Sequence, residues 1–230
     1  MVPGLLFDLD GTVADTDPLH FDAFNAILGE FGRSMTHEEF RTGVSGVSNA
    51  AIMRWLFPDL DVARHVELAD RKEALFREMA ARMQPLAGLE ELLALAERRG
   101  MPVGVVTNAP RLNAEHMLRS LGLERFLPGI VVGEEIERGK PDPLPYRIGL
   151  ERLPRPADRA LAFEDSVAGV SAASGAGIFT VGIRTSLDDA TLRNAGADLT
   201  VSDYLDPAFQ ALLARIETGE DIVRRGPPAA

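Results

Sequence analysis

The sequence predicts a doubly wound α/β fold, a parallel β-sheet with helices on both faces, and an all-helical domain inserted after the first strand. Two observations lead to this prediction. Short, nearly continuous apolar runs alternate with helical patterns, and strands read this way when helices cover both faces of a parallel sheet. Residues 16–84, in contrast, show helical patterns only. Alternating strands and helices are typical of α/β proteins.

The predicted strands are separated by turn residues or by helical patterns. In chain order they are GLLFDLD (4–10), PVGVVTN (102–108), GIVVGEE (129–135), RALAFED (159–165), GIFTVGI (177–183) and ADLTVSD (197–203). Two helical patterns stand out between them, GLEELLALAERRG at 88–100 and NAEHMLRSLGL at 113–123. This order predicts a Rossmann-like core.

The segment between the first two strands holds more helices than one crossover needs. Its predicted helices cover Leu19–Phe31, Thr36–Arg41, Ala50–Leu56 and Val62–Met83. A right-handed crossover between parallel strands needs only one helix, and 88–100 supplies it. We therefore expect an α/β core of residues 1–15 and 85–217 and a helical cap of residues 16–84. The hinges should lie near Ala14–Asp17 and Gln84–Gly88. The polar, Pro- and Gly-rich end, 218–230, should be a flexible tail.

Composition limits the classes of partner. The chain has 230 residues, 46% of them hydrophobic, and a formal net charge of −11. This acidity argues against nucleic acid or an anionic membrane as the main partner. There is no cysteine, which rules out a disulfide or a thiolate metal site and fits a reducing cytosol. No apolar stretch has the length of a membrane span, and no secretion signal is recognisable. We expect a cytoplasmic protein that is a monomer or a weak dimer.

Polar side chains gather where predicted strands end. Asp8 and Asp10 end the first strand, Thr107 and Asn108 the second, and Glu164 and Asp165 the fourth, while Lys140 lies in a loop after the third. Ligands of such folds bind at the carboxyl ends of the strands. These residues are therefore predicted to form one site.

The acids of this set require an opposing charge. Like charges a few ångströms apart raise each other's pKa, so a cation should lie among Asp8, Asp10, Glu164 and Asp165. A set of hard oxygen ligands without His or Cys suits Mg²⁺. Simpler interpretations exist for single residues. Asp165 would also serve as a helix N-cap, Thr107 would simply end its strand, and a lone Lys is usually solvated.

Four motifs carry a resemblance to a known family. FDLDGT, VVTNA, GKPDP and FEDSVAG resemble, in this order, the motifs of the haloacid-dehalogenase-like phosphohydrolases. The chain is most similar to the β-phosphoglucomutase-like branch, which has a helical cap. The resemblance implies that Asp8 attacks phosphorus and forms an aspartyl phosphate. Asp10 would bind the metal through its backbone carbonyl and act as general acid and base. Thr107 and Lys140 would bind the phosphoryl oxygens.

The candidate substrate-binding residues are His20, Asn49 and Lys72 of the cap and Asn108 of the core. His20 suits a substrate contact and a plain helix surface equally well. In the mutase relatives the loop matching GVSN carries an arginine that grips a second phosphate, but Asn49 stands at this position. We therefore predict a Mg²⁺-dependent phosphomonoester hydrolase that acts on a small phosphorylated metabolite.

Two alternatives stay open. One is a β-phosphoglucomutase-type phosphosugar mutase, in which another cap residue would hold the second phosphate. The other belongs to a different class. Receiver-like signalling modules also place acids, a Thr and a Lys around Mg²⁺ on a doubly wound sheet, although they lack a long helical insert after the first strand.

Overall fold

The computed structural model describes residues 2–44 and 47–218. The chain divides into two compact units: Met1–Asp15 with Gln84–Ala230, the α/β unit, and Thr16–Met83, the helical unit. Most of the predicted tail, 219–230, lies outside the described residues. Within the described ranges, no helix has the length and hydropathy of a membrane-spanning segment.

The α/β unit is built on a parallel sheet. Its strands are β1 (Gly4–Phe7), β2 (Val103–Thr107), β3 (Val131–Val132), β4 (Ala160–Glu164), β5 (Phe179–Ile183) and β6 (Leu199–Val201). Their order is β3-β2-β1-β4-β5-β6, and all neighbouring pairs are parallel. This arrangement confirms the doubly wound prediction. The order changes direction between β1 and β4, and in such sheets the crevice at this point is where ligands bind.

The two central strands are aligned so that their polar ends meet. Phe7 of β1 pairs with Phe163 of β4, and their rings stack with centroids 4.5 Å apart. The amide of Asp8 donates to the Phe163 carbonyl at 3.0 Å. Asp8 and Glu164, each one residue further along the chain, therefore lie side by side at the carboxyl edge of the sheet.

The helical unit has its own apolar core. Its helices are α1 (Asp17–Gly29), α2 (His37–Gly43), α3 (Asn49–Leu56) and α4 (Val62–Met79). Buried side chains from all four pack together, including Phe24, Phe40, Met53 and Leu68. The predicted helix to Met83 ends earlier, because its last turn tightens into the 3₁₀ segment Ala80–Arg82, as is common at helix C-termini.

The remaining helices flank the sheet. They are α5 (Leu89–Arg99), α6 (Arg111–Ser120), α7 (Leu144–Arg152), α8 (Val167–Gly175), α9 (Asp189–Ala195) and α10 (Pro207–Glu217). Helix α5 lies between β1 and β2 in the chain, as the sequence predicts. Four acidic and basic residues at its ends, Glu90, Glu91, Arg98 and Arg99, complement the helix dipole.

Candidate active site

Three carboxylates converge at the edge where β1 and β4 end. One carboxylate oxygen each from Asp8, Glu164 and Asp165 lies within 4.8 Å of the others, and all three residues are buried. We call these residues the carboxylate cluster. The register of β1 against β4 produces it, because side chains that follow paired strands in a parallel sheet project from the same edge.

Lys140 supplies a positive charge to this cluster. Its Nζ lies 2.6 Å from Asp8 Oδ1 and 2.5 Å from Glu164 Oε1. Burial alone would lower the pKa of Lys140, but these two carboxylates raise it above its usual value. The ammonium is therefore charged, and the interpretation of Lys140 as a solvated surface group is wrong.

One lysine does not offset the acids around it. Burial is the largest effect on Asp8 and, with repulsion from Glu164 and Asp10, raises its pKa to about 7 even though Lys140 opposes the shift. Glu164 Oε2 is buried and has no hydrogen-bond partner among the described residues. A buried carboxylate oxygen without a partner, in an all-oxygen donor set with excess negative charge, suits a hard divalent cation. The predicted cation thus fits these residues.

Two glycines make room for the carboxylates. A Cβ atom on Gly169 would overlap the Glu164 carboxylate, and one on Gly11 would overlap that of Asp165. Gly11 also has a φ of +69°, which side-chain-bearing residues rarely adopt. The N-cap of α8 is Ser166, whose Oγ accepts from the Gly169 amide at 3.0 Å. The alternative role of Asp165 as that helix's N-cap is therefore wrong.

Thr107 is the last residue of the neighbouring strand β2, and Asn108 follows it. Thr107 is buried, and its hydroxyl oxygen accepts from the Ala109 amide at 2.9 Å; a hydroxyl that accepts one hydrogen bond can still donate another. The Asn108 side chain bonds twice to the backbone of Lys140, donating to its carbonyl and accepting from its amide, both at 3.2 Å. Asn108 thus holds the loop that carries Lys140.

Asp10 lies in the loop after β1 and is half-buried. Its charge contributes to the raised pKa of Asp8, but its carboxylate is not one of the three that converge. The Asp10 carboxylate therefore acts on the charge of Asp8 without belonging to the carboxylate cluster.

The three candidate residues of the helical unit share one contact network, which we call the Lys72 cluster. Lys72 Nζ lies 2.8 Å from His20 Nδ1 and 3.0 Å from Glu73 Oε1, and it lies over the Phe24 ring, 4.5 Å from the centroid. Asn49 donates to the same Glu73 oxygen at 2.7 Å. Burial opposes ionisation of Glu73, but Lys72, His20 and Asn49 together keep its pKa below the usual value.

Three residues near the carboxylate cluster are not predicted from the sequence. The hydroxyl of Tyr146, on α7, donates to Glu164 Oε1 at 2.5 Å. After β5, Thr185 donates to the Gly11 carbonyl at 2.6 Å and Ser186 lies 3.3 Å from Asp165 Oδ2. The polar pair after β5 follows the same strand-end rule as the other site residues. Tyr146 has no comparable signal, since it reads as one apolar position of a helix.

Comparison with known proteins identifies the family of this chain. The profile of the haloacid dehalogenase-like hydrolases matches residues 5–183. The phosphorylated carbohydrates phosphatase of Thermotoga maritima is 32% identical over 200 residues, 84% of this chain and 91% of the relative. A crystal structure of a variant of CbbY from Rhodobacter sphaeroides, in complex with xylulose-(1,5)bisphosphate, is 27% identical with a TM-score of 0.76 and covers 89% of this chain and 95% of that one.

A more distant solved structure shares the fold. β-Phosphoglucomutase from Clostridium difficile has a TM-score of 0.78 at 20% identity, with 95% of this chain and 99% of that chain covered. The motifs, the sheet order and these relatives agree, and the chain belongs to the haloacid dehalogenase-like hydrolases.

Proposed function

We propose that this protein is a Mg²⁺-dependent phosphatase that hydrolyses small phosphorylated carbohydrates through an aspartyl phosphate on Asp8. The observation that carries this proposal is the buried Asp8 carboxylate, bonded to Lys140 at 2.6 Å and surrounded by further acids at the crevice of the sheet. Phosphoryl transfer depends chiefly on positioning and on charge stabilisation, and this arrangement provides both.

The proposed reaction has two halves. Asp8 attacks phosphorus, a bond forms between its carboxylate and the phosphoryl group, and the bond to the leaving oxygen breaks. Asp10 gives a proton to this oxygen and then removes one from a water molecule. This water attacks phosphorus, the bond between phosphorus and the Asp8 oxygen breaks, and inorganic phosphate is released as the Asp8 carboxylate is restored. Thr107 and Lys140 donate hydrogen bonds to the phosphoryl oxygens.

The cation would be held by Asp8, Asp165 and the Asp10 carbonyl, with Glu164 as a further candidate ligand. When bound, it supplies positive charge that keeps Asp8 ionised and stabilises the phosphoryl group. The donor set of oxygen atoms supports Mg²⁺ over softer metals.

Two observations support hydrolysis over mutase chemistry. Asn49 is neutral, and its amide is bonded to the Glu73 carboxylate, so this position lacks a cation for a second phosphate. The Thermotoga maritima relative is a phosphorylated carbohydrates phosphatase, which supports the substrate class. Membership in the hydrolase family disfavours the receiver-like signalling module.

A substrate panel tests the proposal. The full chain should release inorganic phosphate from at least one small sugar phosphate in the presence of Mg²⁺, lose this activity with excess chelator, and regain it when Mg²⁺ is restored. A coupled assay should show no conversion of β-glucose 1-phosphate to glucose 6-phosphate after priming with a bisphosphate. Efficient mutase turnover, or full hydrolysis in chelator, would contradict the proposal.

The setting of the reaction is part of the same proposal. We place the enzyme in the cytosol as a monomer or a weak dimer. The lack of cysteine supports a reducing compartment. Sedimentation of the purified chain at several concentrations tests the oligomeric state, and a stable higher oligomer would contradict it.

A further inference from the structure

Tyr146 has an unusual position for a tyrosine in an apolar core. It is fully buried, and its ring belongs to the apolar cluster that also contains Leu6 and Val131. Its hydroxyl nevertheless reaches Glu164 Oε1 at 2.5 Å. A phenylalanine would fill the same space, so packing alone does not account for the hydroxyl.

Glu164 depends on few donors for its orientation. Its Oε1 receives both Tyr146 Oη and Lys140 Nζ, each at 2.5 Å. The other oxygen, Oε2, has no hydrogen-bond partner in the described part of the chain, and it lies where Gly169 leaves space. The two donors on Oε1 are therefore what holds this fully buried carboxylate in place.

Lys140 is shared between Glu164 and Asp8. Its Nζ lies 2.5 Å from the first carboxylate and 2.6 Å from the second, and 5.4 Å from the centre of the Tyr146 ring. Any change in the position or the effective charge of Glu164 alters how strongly it draws the ammonium away from Asp8. A hydrogen bond from Tyr146 to Glu164 spreads the carboxylate's charge and fixes its distance from Lys140.

We propose that Tyr146 is a positioning residue for phosphoryl transfer: its hydroxyl fixes Glu164 and spreads its charge, which leaves the Lys140 ammonium in contact with Asp8. This inference rests on the proposed function. Without the hydroxyl, Glu164 turns and competes more strongly for Lys140, and the contact of Lys140 with Asp8 and the transferred group weakens. The loss falls on the transition state, where the charge on these groups is redistributed.

Tyr146→Phe tests the proposal, because it removes the hydroxyl and keeps the ring. We expect kcat to fall roughly ten- to hundredfold, the scale of a lost hydrogen bond to a charged group, while KM stays within about twofold. The matched control is Tyr204→Phe. Tyr204 is equally buried, but its hydroxyl donates to the Thr12 backbone carbonyl at 3.0 Å. The Tyr204→Phe variant should lose about as much thermal stability as the Tyr146→Phe variant, and its kcat should stay within about threefold of the wild-type value.

A double-mutant cycle separates positioning from a structural role. If Tyr146 acts through Lys140, then Tyr146→Phe should lower kcat much less in a Lys140→Met background than in the wild-type enzyme. Equal effects in both backgrounds, or equal losses of kcat in the Tyr146→Phe and Tyr204→Phe variants, would overturn the proposal. Circular dichroism at the assay temperature shows that each variant is folded.

Two further outcomes would also overturn it. If Tyr146→Phe keeps wild-type kcat, the hydroxyl has no role in the reaction. If instead the variant needs more Mg²⁺ for its half-maximal rate but reaches wild-type kcat at saturation, the hydroxyl serves the metal site. Failure of the proposed function is distinct, because the wild-type enzyme itself would then release no phosphate from any substrate.

Discussion

The protein contains two buried lysines, and their surroundings differ in charge balance. In the α/β unit, Lys140 bonds to Asp8 and Glu164, and more carboxylates lie nearby. In the helical unit, Lys72 bonds to the Glu73 carboxylate and to a histidine nitrogen. Carboxylates outnumber the lysine in the first cluster, whereas in the second Lys72 offsets the charge of Glu73.

The pKa values of the two clusters reflect this difference. Burial and neighbouring acids raise the pKa of Asp8 to about 7, whereas for Glu73 the attraction of Lys72 outweighs burial and the pKa is lowered. In a buried lysine–glutamate pair the two charges offset each other, but a group in which acids outnumber the cation is stabilised by a further cation or proton. This contrast supports the proposal that the carboxylate cluster, and not the Lys72 cluster, binds the metal and reacts. Four predictions test the contrast.

The largest effect should follow from the loss of the Asp8 carboxylate. Asp8→Asn should lower kcat by roughly 10⁴-fold or more, because the nucleophile is gone, while the fold stays intact since one repelling charge is removed. Glu73→Gln, the same kind of change from an acid to an amide in the Lys72 cluster, should lower kcat by less than about tenfold. Phosphate release measures both. Substantial activity of Asp8→Asn, after deamidation is excluded by mass spectrometry, would show that Asp8 is not the attacking group.

Removal of each lysine should separate stability from activity. Lys72→Met leaves the Glu73 charge buried without its cation, which costs about 3–5 kcal/mol of unfolding free energy. Lys140→Met should cost less unfolding free energy at pH 6, because Asp8, with a pKa of about 7, is already mostly protonated there and Tyr146 still donates to Glu164. It should nevertheless lower kcat by roughly 10³-fold, as expected for a charge that stabilises phosphoryl transfer. Urea unfolding without metal and initial rates with Mg²⁺ measure the two effects. Equal losses of stability would contradict the difference in charge balance.

The pH dependence of metal-free stability should have opposite signs in the two clusters. Because the pKa of Asp8 is raised from 3.8 to about 7 on folding, its contribution is complete below about pH 4 and is lost as the pH rises through 7. The slope is at most about 1.4 kcal/mol per pH unit. The contribution of Glu73 is present above its ordinary pKa of 4.5 and is lost as the pH falls through its lowered value.

Matched variants isolate these contributions. Asp8→Asn should remove the loss between pH 4 and 7, Glu73→Gln should remove the loss in acid, and Mg²⁺ should restore the stability of the wild-type protein above pH 7. Urea unfolding at each pH gives the free energies. A wild-type and an Asp8→Asn curve that run parallel from pH 4 to 7 would mean that Asp8 is not protonated in the metal-free fold.

The smallest effect concerns the second phosphate. An arginine at position 49 would stand beside Glu73, since Asn49 already bonds to it at 2.7 Å. Asn49→Arg alone should therefore tighten inhibition by a bisphosphorylated sugar by less than about threefold, because Glu73 takes up the new charge. Asn49→Arg with Glu73→Gln should tighten this inhibition by roughly 1.5–3 kcal/mol, the scale of a hydrogen bond to a charged group. A single variant that binds as tightly as the double variant would show that Glu73 does not neutralise this position.

Much of the fold could be predicted, because its signals are local. Apolar runs marked each strand, and the helical pattern of 88–100 marked α5, which the structure places at Leu89–Arg99. The end of α4 was misplaced, since a tightened last turn has no clear sequence signal. The acids at the ends of β1 and β4 could be assigned to one site because strand ends in a parallel sheet meet. The Tyr146 hydroxyl could not be, because an apolar helical position does not show which polar atom it reaches.

The sequence by itself determined which residue types are available and where each lies on its strand, loop or helix. The tertiary structure alone decided their partners. Lys140 reaches Asp8 across 132 residues of chain and Thr185 reaches Gly11 across 174, and no local pattern encodes such pairings. It also decided the charge balance. A lysine and a glutamate meet in both clusters, but whether they offset each other or belong to a group with excess acid depends on which other side chains the packing buries beside them.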